Sequence, residues 1–378
     1  MRFQGFTIPW TEIEIGKAFQ VTRGYVLPAT VVRQDASEEY IYPVYSSQTK
    51  DNGLMGYYND YLYENAITWT TDGANAGTVH YRPGKFYCTN VCGVLLSDEG
   101  NANRCVAEIL GSVSKKYVSY VGNPKLMNNV MSEIKIYVPT IDEQKKIDDF
   151  ISVIDHRIEK QLELIEHLKK YKRGVVKTLL DPKQNQRQGV IWTTDTIGNL
   201  GTFIKGAALS KADISDFGTP FILYGELYTT YKEVVRTIVR TTQANVDDVY
   251  LSKVGDVVIP TSGETPEEIS TASCIMVPNV ILAGDLNIYR STLVDGRIMS
   301  YLLNHIVNDQ IARVAQGKSV VHIQASEVGK ISITYPDHNE QERISQILEL
   351  IDNRIAVSEK TLNSMQMMKK ALLQQLFI

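Results

Sequence analysis

Pro139-Thr140-Ile141-Asp142-Glu143-Gln144 and Pro336-Asp337-His338-Asn339-Glu340-Gln341 are one motif written twice, 197 residues apart, and each opens the same heptad pattern. After the first copy, one seam position reads Ile151, Ile158, Ile165, Lys172 and Leu179, and the other Ile147, Ile154, Gln161, Leu168 and Val175. After the second copy the corresponding residues are Leu348, Ile355, Leu362, Lys369 and Leu376, and Ile344, Ile351, Ser358, Met365 and Leu372. Apolar residues at this spacing form a stripe on one helix face that a partner helix must cover. Even the interruptions agree, because Gln161 matches Ser358 and Lys172 matches Lys369. The chain therefore contains an internal duplication.

Working outward, the pattern predicts helices over about 141–180 and 338–378. At 1.5 Å per residue, some 38 residues make a rod of roughly 57 Å. Each helix needs a partner for its seam, and the other copy is the expected one. An antiparallel pairing would relate the two halves of the chain by a pseudo-twofold axis. An isolated charge in a seam costs stability, so Lys172 and Lys369 are candidates for fixing register or partner choice. Pro182 in the polar run 181–189 cannot continue a helix and closes the first one.

The remaining chain forms two globular blocks, 1–140 and 187–337, with 141–186 as first helix and linker and 338–378 as second helix. Short β-rich runs such as Asp256-Val257-Val258-Ile259-Pro260 alternate there with Gly, Asn and Asp turns. The blocks are diverged copies. Trp10-Thr11 and Ile15-Gly16 match Trp192-Thr193 and Ile197-Gly198 at an offset of 182, and Thr71 with Gly73 matches Thr261 with Gly263 at 190. The expected class is α+β: two mixed α/β domains separated by two long antiparallel coiled-coil helices.

Composition narrows the function. The 378 residues carry a formal net charge of −4, with 43% hydrophobic and 22% charged residues, ordinary for a soluble protein of two or three domains. No apolar run approaches the roughly 18 residues of a membrane span, so a cytoplasmic protein is expected. Cys88, Cys92, Cys105 and Cys274 lack CxxC spacing, and the six histidines form no ligand cluster, which predicts reduced thiols and no metal. Gly317-Lys318-Ser319 resembles the end of a phosphate loop, but Ala312 stands where the first glycine is required. No catalytic constellation is visible, nor the Asn/Asp-Pro-Pro-aromatic motif of an adenine methyltransferase.

The duplicated Pro-x-x-x-Glu-Gln helices, with Ile154-Asp155-x-Arg157 and Ile351-Asp352-x-Arg354, resemble the specificity subunit of Type I restriction-modification enzymes over essentially the whole chain. The resemblance implies that each block is a target recognition domain reading one half of a split, asymmetric site on double-stranded DNA. It implies that the paired helices act as a ruler and dock two methyltransferase (modification) subunits, with a restriction motor-nuclease subunit joining for cleavage. Catalysis would then belong to partners. This chain would bind no cofactor, while S-adenosylmethionine would be held by the methyltransferase subunits and ATP and Mg by the restriction subunit. The contrasting reading is a coiled-coil adaptor with two protein-binding heads.

Candidate DNA contacts follow from local composition. In the first block they are Ser46, Ser47, Gln48 and Lys50 in one polar turn, the pair Tyr57 and Tyr58, and Thr70, Thr71, Asp72 and Asn75. Gln48 and Asn75 have the amide geometry for adenine, and Lys50 suits phosphate. In the second block they are Lys205, Thr261, Ser262, Glu264, Arg290, Lys318 and Ser319. Neither block is basic: residues 1–138 hold 12 Lys and Arg against 13 Asp and Glu, and residues 187–335 hold 12 against 15. Phosphate neutralisation supplies most non-specific affinity, so the chain alone is expected to grip DNA weakly and to lean on its partners.

Overall fold

The computed structural model describes residues 2–47, 50–185, 189–315 and 321–377, and the chain divides there into two compact units. The first comprises Met1–Leu162 with Lys360–Ile378, the second Glu163–Glu359. Both long helices form, as Ile141–Leu180 and His338–Leu376. Each contributes one half to each unit, so the units differ from a division into blocks and helices. The reason is burial, because the helix stripes complete the cores of the blocks. In the first unit Ile147 and Ile151 share a core with Leu95, Leu110 and Ile134, and Leu373 and Phe377 pack on it from the end of the second helix. In the second unit Val176 and Leu180 share a core with Tyr289, Leu302, Ile344 and Leu348. In each unit the start of one helix meets the end of the other, so the helices run antiparallel.

All fourteen heptad residues Ile147, Ile151, Ile154, Ile158, Ile165, Leu168, Lys172, Ile344, Leu348, Ile351, Ile355, Leu362, Met365 and Lys369 are buried or half-buried. Toward the end of the first helix the buried positions become Val176 and Leu180, one residue beyond the seam positions Val175 and Leu179, which remain half-buried. A straight helix of 3.6 residues per turn drifts in this way against a repeat of 3.5.

The duplication of the blocks is visible bond by bond. Strand Thr11–Glu14 pairs antiparallel with Lys135–Val138, and Trp192–Thr196 with Ser332–Pro336. Ile15 N–H donates to Ile134 O at 3.0 Å, and Ile197 N–H to Ile331 O at 3.0 Å. Leu126 N–H reaches Thr71 O at 2.9 Å, and Ile323 N–H reaches Thr261 O at 3.0 Å. The offsets 182, 190 and 197 read in the sequence thus join equivalent atoms. Between these shared points the sheets diverge. The first unit has a six-stranded sheet in the order Gln20–Arg23, Cys92–Leu96, Tyr63–Thr70, Val79–Cys88, Tyr42–Tyr45, Leu54–Tyr58. Its centre is Trp69, whose ring lies where a Cβ on Gly93 would be, 2.1 Å away, so only glycine fits opposite it. The second unit has a five-stranded sheet and, beside it in sequence, a three-stranded one built on Thr219–Leu223. All four cysteines are buried free thiols.

The repeated motif is a lock between block and helix. Gln144 is buried, accepts from Asn103 Nδ2 at 2.7 Å and donates to Pro139 O at 2.9 Å and Asn101 Oδ1 at 3.2 Å. Gln341 is buried, accepts from the Asp295 N–H at 2.7 Å and donates to Pro336 O at 2.9 Å. Asn103 and Asp295 are themselves the N-caps of helices Arg104–Ser114 and Gly296–His305. One glutamine side chain therefore fixes the strand end, the long helix and the cap of a block helix together. Glu143 is held by Arg2 at 2.9 and 2.5 Å, and Glu340 by Arg343 and by Asn185 Nδ2 at 2.8 Å. These partners satisfy carboxylates that burial alone would disfavour.

The seam lysines are paired crosswise. Lys172 Nζ lies 2.7 Å from Asp352 and 2.7 Å from Glu233, while Lys369 Nζ lies 2.7 Å from Asp155 and 3.0 Å from Glu108. Asp155 and Asp352 are the aspartates of the two Ile-Asp-x-Arg stretches. Each helix thus neutralises the other's lysine with the same residue, and the seam charge is satisfied within the protein.

Candidate nucleic-acid interface

The first unit gathers part of the predicted set at one sheet end. Asn75 Nδ2 donates to Ser47 O at 3.2 Å, joining the 70–78 turn to the end of strand Tyr42–Tyr45. Ser46 Oγ accepts from Thr89 Oγ1 at 3.1 Å. Asp72 accepts from Asn123 Nδ2 and lies 3.7 Å from Lys125 Nζ. Residues 50–53 turn through left-handed backbone at Asp51 and Asn52, with φ of 51° and 53°, residue types that tolerate it. Arg82 anchors that turn from below. It is buried, donates to Asn52 O at 2.8 Å and Thr68 Oγ1 at 3.0 Å, and stacks 3.7 Å from the Tyr45 ring centre. Gln48 and the Lys50 side chain lie outside the described residues.

Other predicted residues lie inside the fold or away from this end. Thr70 and Thr71 are buried, and Thr71 Oγ1 donates to Val91 O at 3.0 Å. Tyr57 and Tyr58 sit at the far end of their hairpin from Ser46, with Tyr58 packed edge-on against Tyr87 at 5.6 Å. A β-run with alternating sides gave no means of telling which strand end faces the shared edge.

A further exposed segment that composition had not singled out borders this edge. Residues 115–125 carry exposed Lys115, Lys116, Tyr117, Tyr120, Val121 and Lys125. Gly73 N–H donates to Pro124 O at 3.0 Å, which joins the segment to the Asp72 turn. Its signal was present in the sequence as lysines interleaved with tyrosines, a pattern suited to phosphate and base contact together.

In the second unit Lys205, Thr261, Ser262 and Glu264 share one sheet end. Lys205 is exposed and is followed by Gly206, whose N–H donates to Leu286 O at 2.8 Å. Thr261 N–H donates to Asp285 O at 2.7 Å, and the buried Ser262 donates to Asp285 Oδ2 at 2.7 Å. Glu264 is exposed, as is His322 opposite Ser262. Asn287, the register partner of Lys205, buries an Nδ2 that has no hydrogen-bond partner among the described residues. Arg290 is not brought to this edge. It sits at the opposite end of the strand, clamped on Asp256 at 3.0 Å by both Nε and Nη2 and donating to Leu251 O at 2.9 Å. These bonds tie the guanidinium to the strand end at Asp256. Lys318 and Ser319 lie outside the described residues.

A sequence profile described as the Type I restriction modification DNA specificity domain matches residues 8–169 and again 190–367. The chain belongs to this family. Two matches to it cover the two copies that the hydrogen bonds trace. Among curated proteins, one of Mycoplasma pneumoniae described as a candidate type I specificity subunit is 34% identical over 154 residues, 40% of this chain and 49% of that one. The Type I restriction enzyme MpnII specificity subunit of the same organism is 31% identical over 153 residues, 40% of this chain and 45% of that one. The chain thus matches about half the length of these relatives. Among solved structures, a Type I restriction-modification S subunit from M. genitalium shares the fold with a TM-score of 0.65 at 17% identity, covering 100% of this chain and 97% of that one. No described helix is long and apolar enough to cross a membrane.

Proposed function

We propose that the chain is the non-catalytic DNA-recognition subunit of a Type I restriction-modification complex, with each unit reading one half of a split, asymmetric target. The observation that carries this reading is a shared hydrogen-bond framework holding unlike loops at equivalent places. Thr71 and Thr261 accept the same backbone bond, yet beside them stand a lysine-tyrosine segment in one unit and Ser262, Glu264 and His322 in the other. Unlike edges on a common frame suit unlike half-sites. Base edges are read by such polar groups, and phosphate contacts only position them.

The outer faces of the long helices are proposed to dock two methyltransferase subunits, which bring S-adenosylmethionine, with ATP and Mg supplied by the restriction subunit. What supports this is a matched pair of exposed patches: Val153 with Arg157 on the first helix, and Leu350 with Arg354 on the second. Each sets an apolar residue one helical turn from an arginine. Val153→Asp and Leu350→Asp together are expected to abolish co-purification with methyltransferase subunits without lowering the melting temperature. The specificity role is tested by expressing the chain with those subunits and mapping methylated adenines. A split motif supports the role; its absence, with assembled complex present, points to the adaptor reading. In a titration at fixed salt the isolated chain binds the mapped target far more weakly than the complex does. Equal affinities would contradict partner-supplied electrostatic grip.

A further inference from the structure

We infer that the hairpin 119–125 of the first unit is a wedge that enters the DNA duplex at a base step, with the flanking lysines holding the phosphates on either side. The inference rests on the specificity reading and adds to it a site and a mode of contact. Ser119 and Lys125 exchange both backbone hydrogen bonds at 2.9 Å, and Gly122, at φ of +77°, turns the chain between them. At the tip Tyr120 is 71% and Val121 93% exposed, whereas Val118 just before it is buried. The tip is braced from three sides. Pro124 O accepts from Gly73 N–H, Leu126 N–H donates to Thr71 O, and Asn123 donates to Asp72. A braced turn gains nothing for the fold by presenting a ring and a branched aliphatic side chain to water.

The surroundings decide which partner covers it. Exposed Lys115 and Lys116 lead into the hairpin and exposed Lys125 closes its base, and Asp72, the one acidic side chain bonded to the hairpin among the described residues, is already shared between Asn123 and Lys125. An exposed apolar point flanked by lysines at its base matches a duplex, whose stacked bases lie between two lines of phosphate. Apolar side chains inserted at a step unstack it and bend the helix. Such a step is cheapest at TA or CA/TG, so the first unit's half-site, or its border, is expected to contain one.

The experiment uses the full chain assembled with its methyltransferase subunits. The probe is a duplex carrying the motif that methylation mapping returns for the wild-type complex, with 2-aminopurine placed in turn along both half-sites. Binding should raise the fluorescence severalfold at one step. Tyr120→Ser with Val121→Ser should abolish that rise and weaken binding about tenfold, while Tyr120→Phe keeps both. Lys115→Ala and Lys116→Ala should each flatten the salt dependence by about one unit of slope and keep the fluorescence of the bound complex. A double serine variant that binds and unstacks as wild type overturns the wedge alone. A double variant that fails to assemble with the methyltransferase makes the hairpin a protein contact and also overturns it. A wild-type map without a split motif overturns the specificity reading, and the wedge with it.

Discussion

Lys172 in the second unit and Lys369 in the first occupy equivalent seam positions and meet equivalent aspartates, yet their surroundings differ. Around Lys172 stand Glu233, itself bonded to His305 Nε2 at 2.6 Å, and the Tyr301 ring, whose centre lies 5.0 Å from Nζ. Around Lys369 stands Glu108 from the block helix, and the lysine side chain keeps 21% exposure against 8% for Lys172. The helix supplies the same ion pair twice, and each block finishes it in its own way. A block can therefore diverge while its attachment to the helices is kept, provided that it offers some carboxylate to a fixed lysine.

The comparison breaks most sharply at Lys172. Replacing it by methionine leaves Glu233 and Asp352 facing each other half-buried, which should cost about 3 kcal/mol, whereas Lys369→Met should cost about 1–2 kcal/mol because water reaches that site. Urea unfolding followed by a probe in each unit measures both, and equal losses would mean that burial does not separate the two sites. The glutamine locks should behave alike. Gln144→Leu and Gln341→Leu each strand a buried proline carbonyl and a helix cap, so each should cost about 2 kcal/mol. A large inequality would show that one lock is ornamental.

Acidification should separate the units in order. Burial, with Arg82 and Lys369 nearby, pushes His80 down to about 4 from its ordinary 6.5. A histidine kept neutral by the fold contributes stability above its ordinary value, and that contribution is lost as pH falls from about 6.5 through about 4. Burial pushes Glu233 up, but hydrogen bonds and attraction from His305 and Lys172 outweigh it and hold the carboxyl at about 2. Its contribution is complete above the ordinary glutamate value of 4.5 and fades only as pH falls toward 2. Hydrogen exchange corrected for intrinsic rates should therefore show strand Val79–Cys88 losing protection between pH 7 and 5 while strand Val234–Val235 holds. His80→Gln should remove the effect. The same loss in both strands would contradict the assignment.

The sequence carried the long helices clearly because a heptad needs only apolar spacing, and it carried the lysine match for the same reason. It did not carry what neutralises the lysines, since Glu233 and Glu108 arrive from unrelated places in the two blocks. The role of Gln144 and Gln341 was equally hidden: the motif was read as a helix opening, and only packing reveals a lock onto Asn103 and the Asp295 backbone. At the candidate interface Ser47, Asp72, Asn75, Lys205 and Thr261 lie on shared edges. Arg290, Tyr57 and Tyr58 lie elsewhere, because composition does not say which end of a strand a residue occupies. The 115–125 segment was legible as two tyrosines between lysines, but its place beside Asp72 depends on the backbone bond from Gly73 to Pro124 O.

The central claim, two separate readers on one frame, is tested most directly by methylation mapping of two assembled complexes. One contains the wild-type chain, the other a chain whose residues 46–53, 70–78 and 115–125 are replaced by those of a family member with another target. The account predicts a split motif from the first, and from the second a motif with one half changed and the other kept. A change in both halves, or in neither, would contradict it.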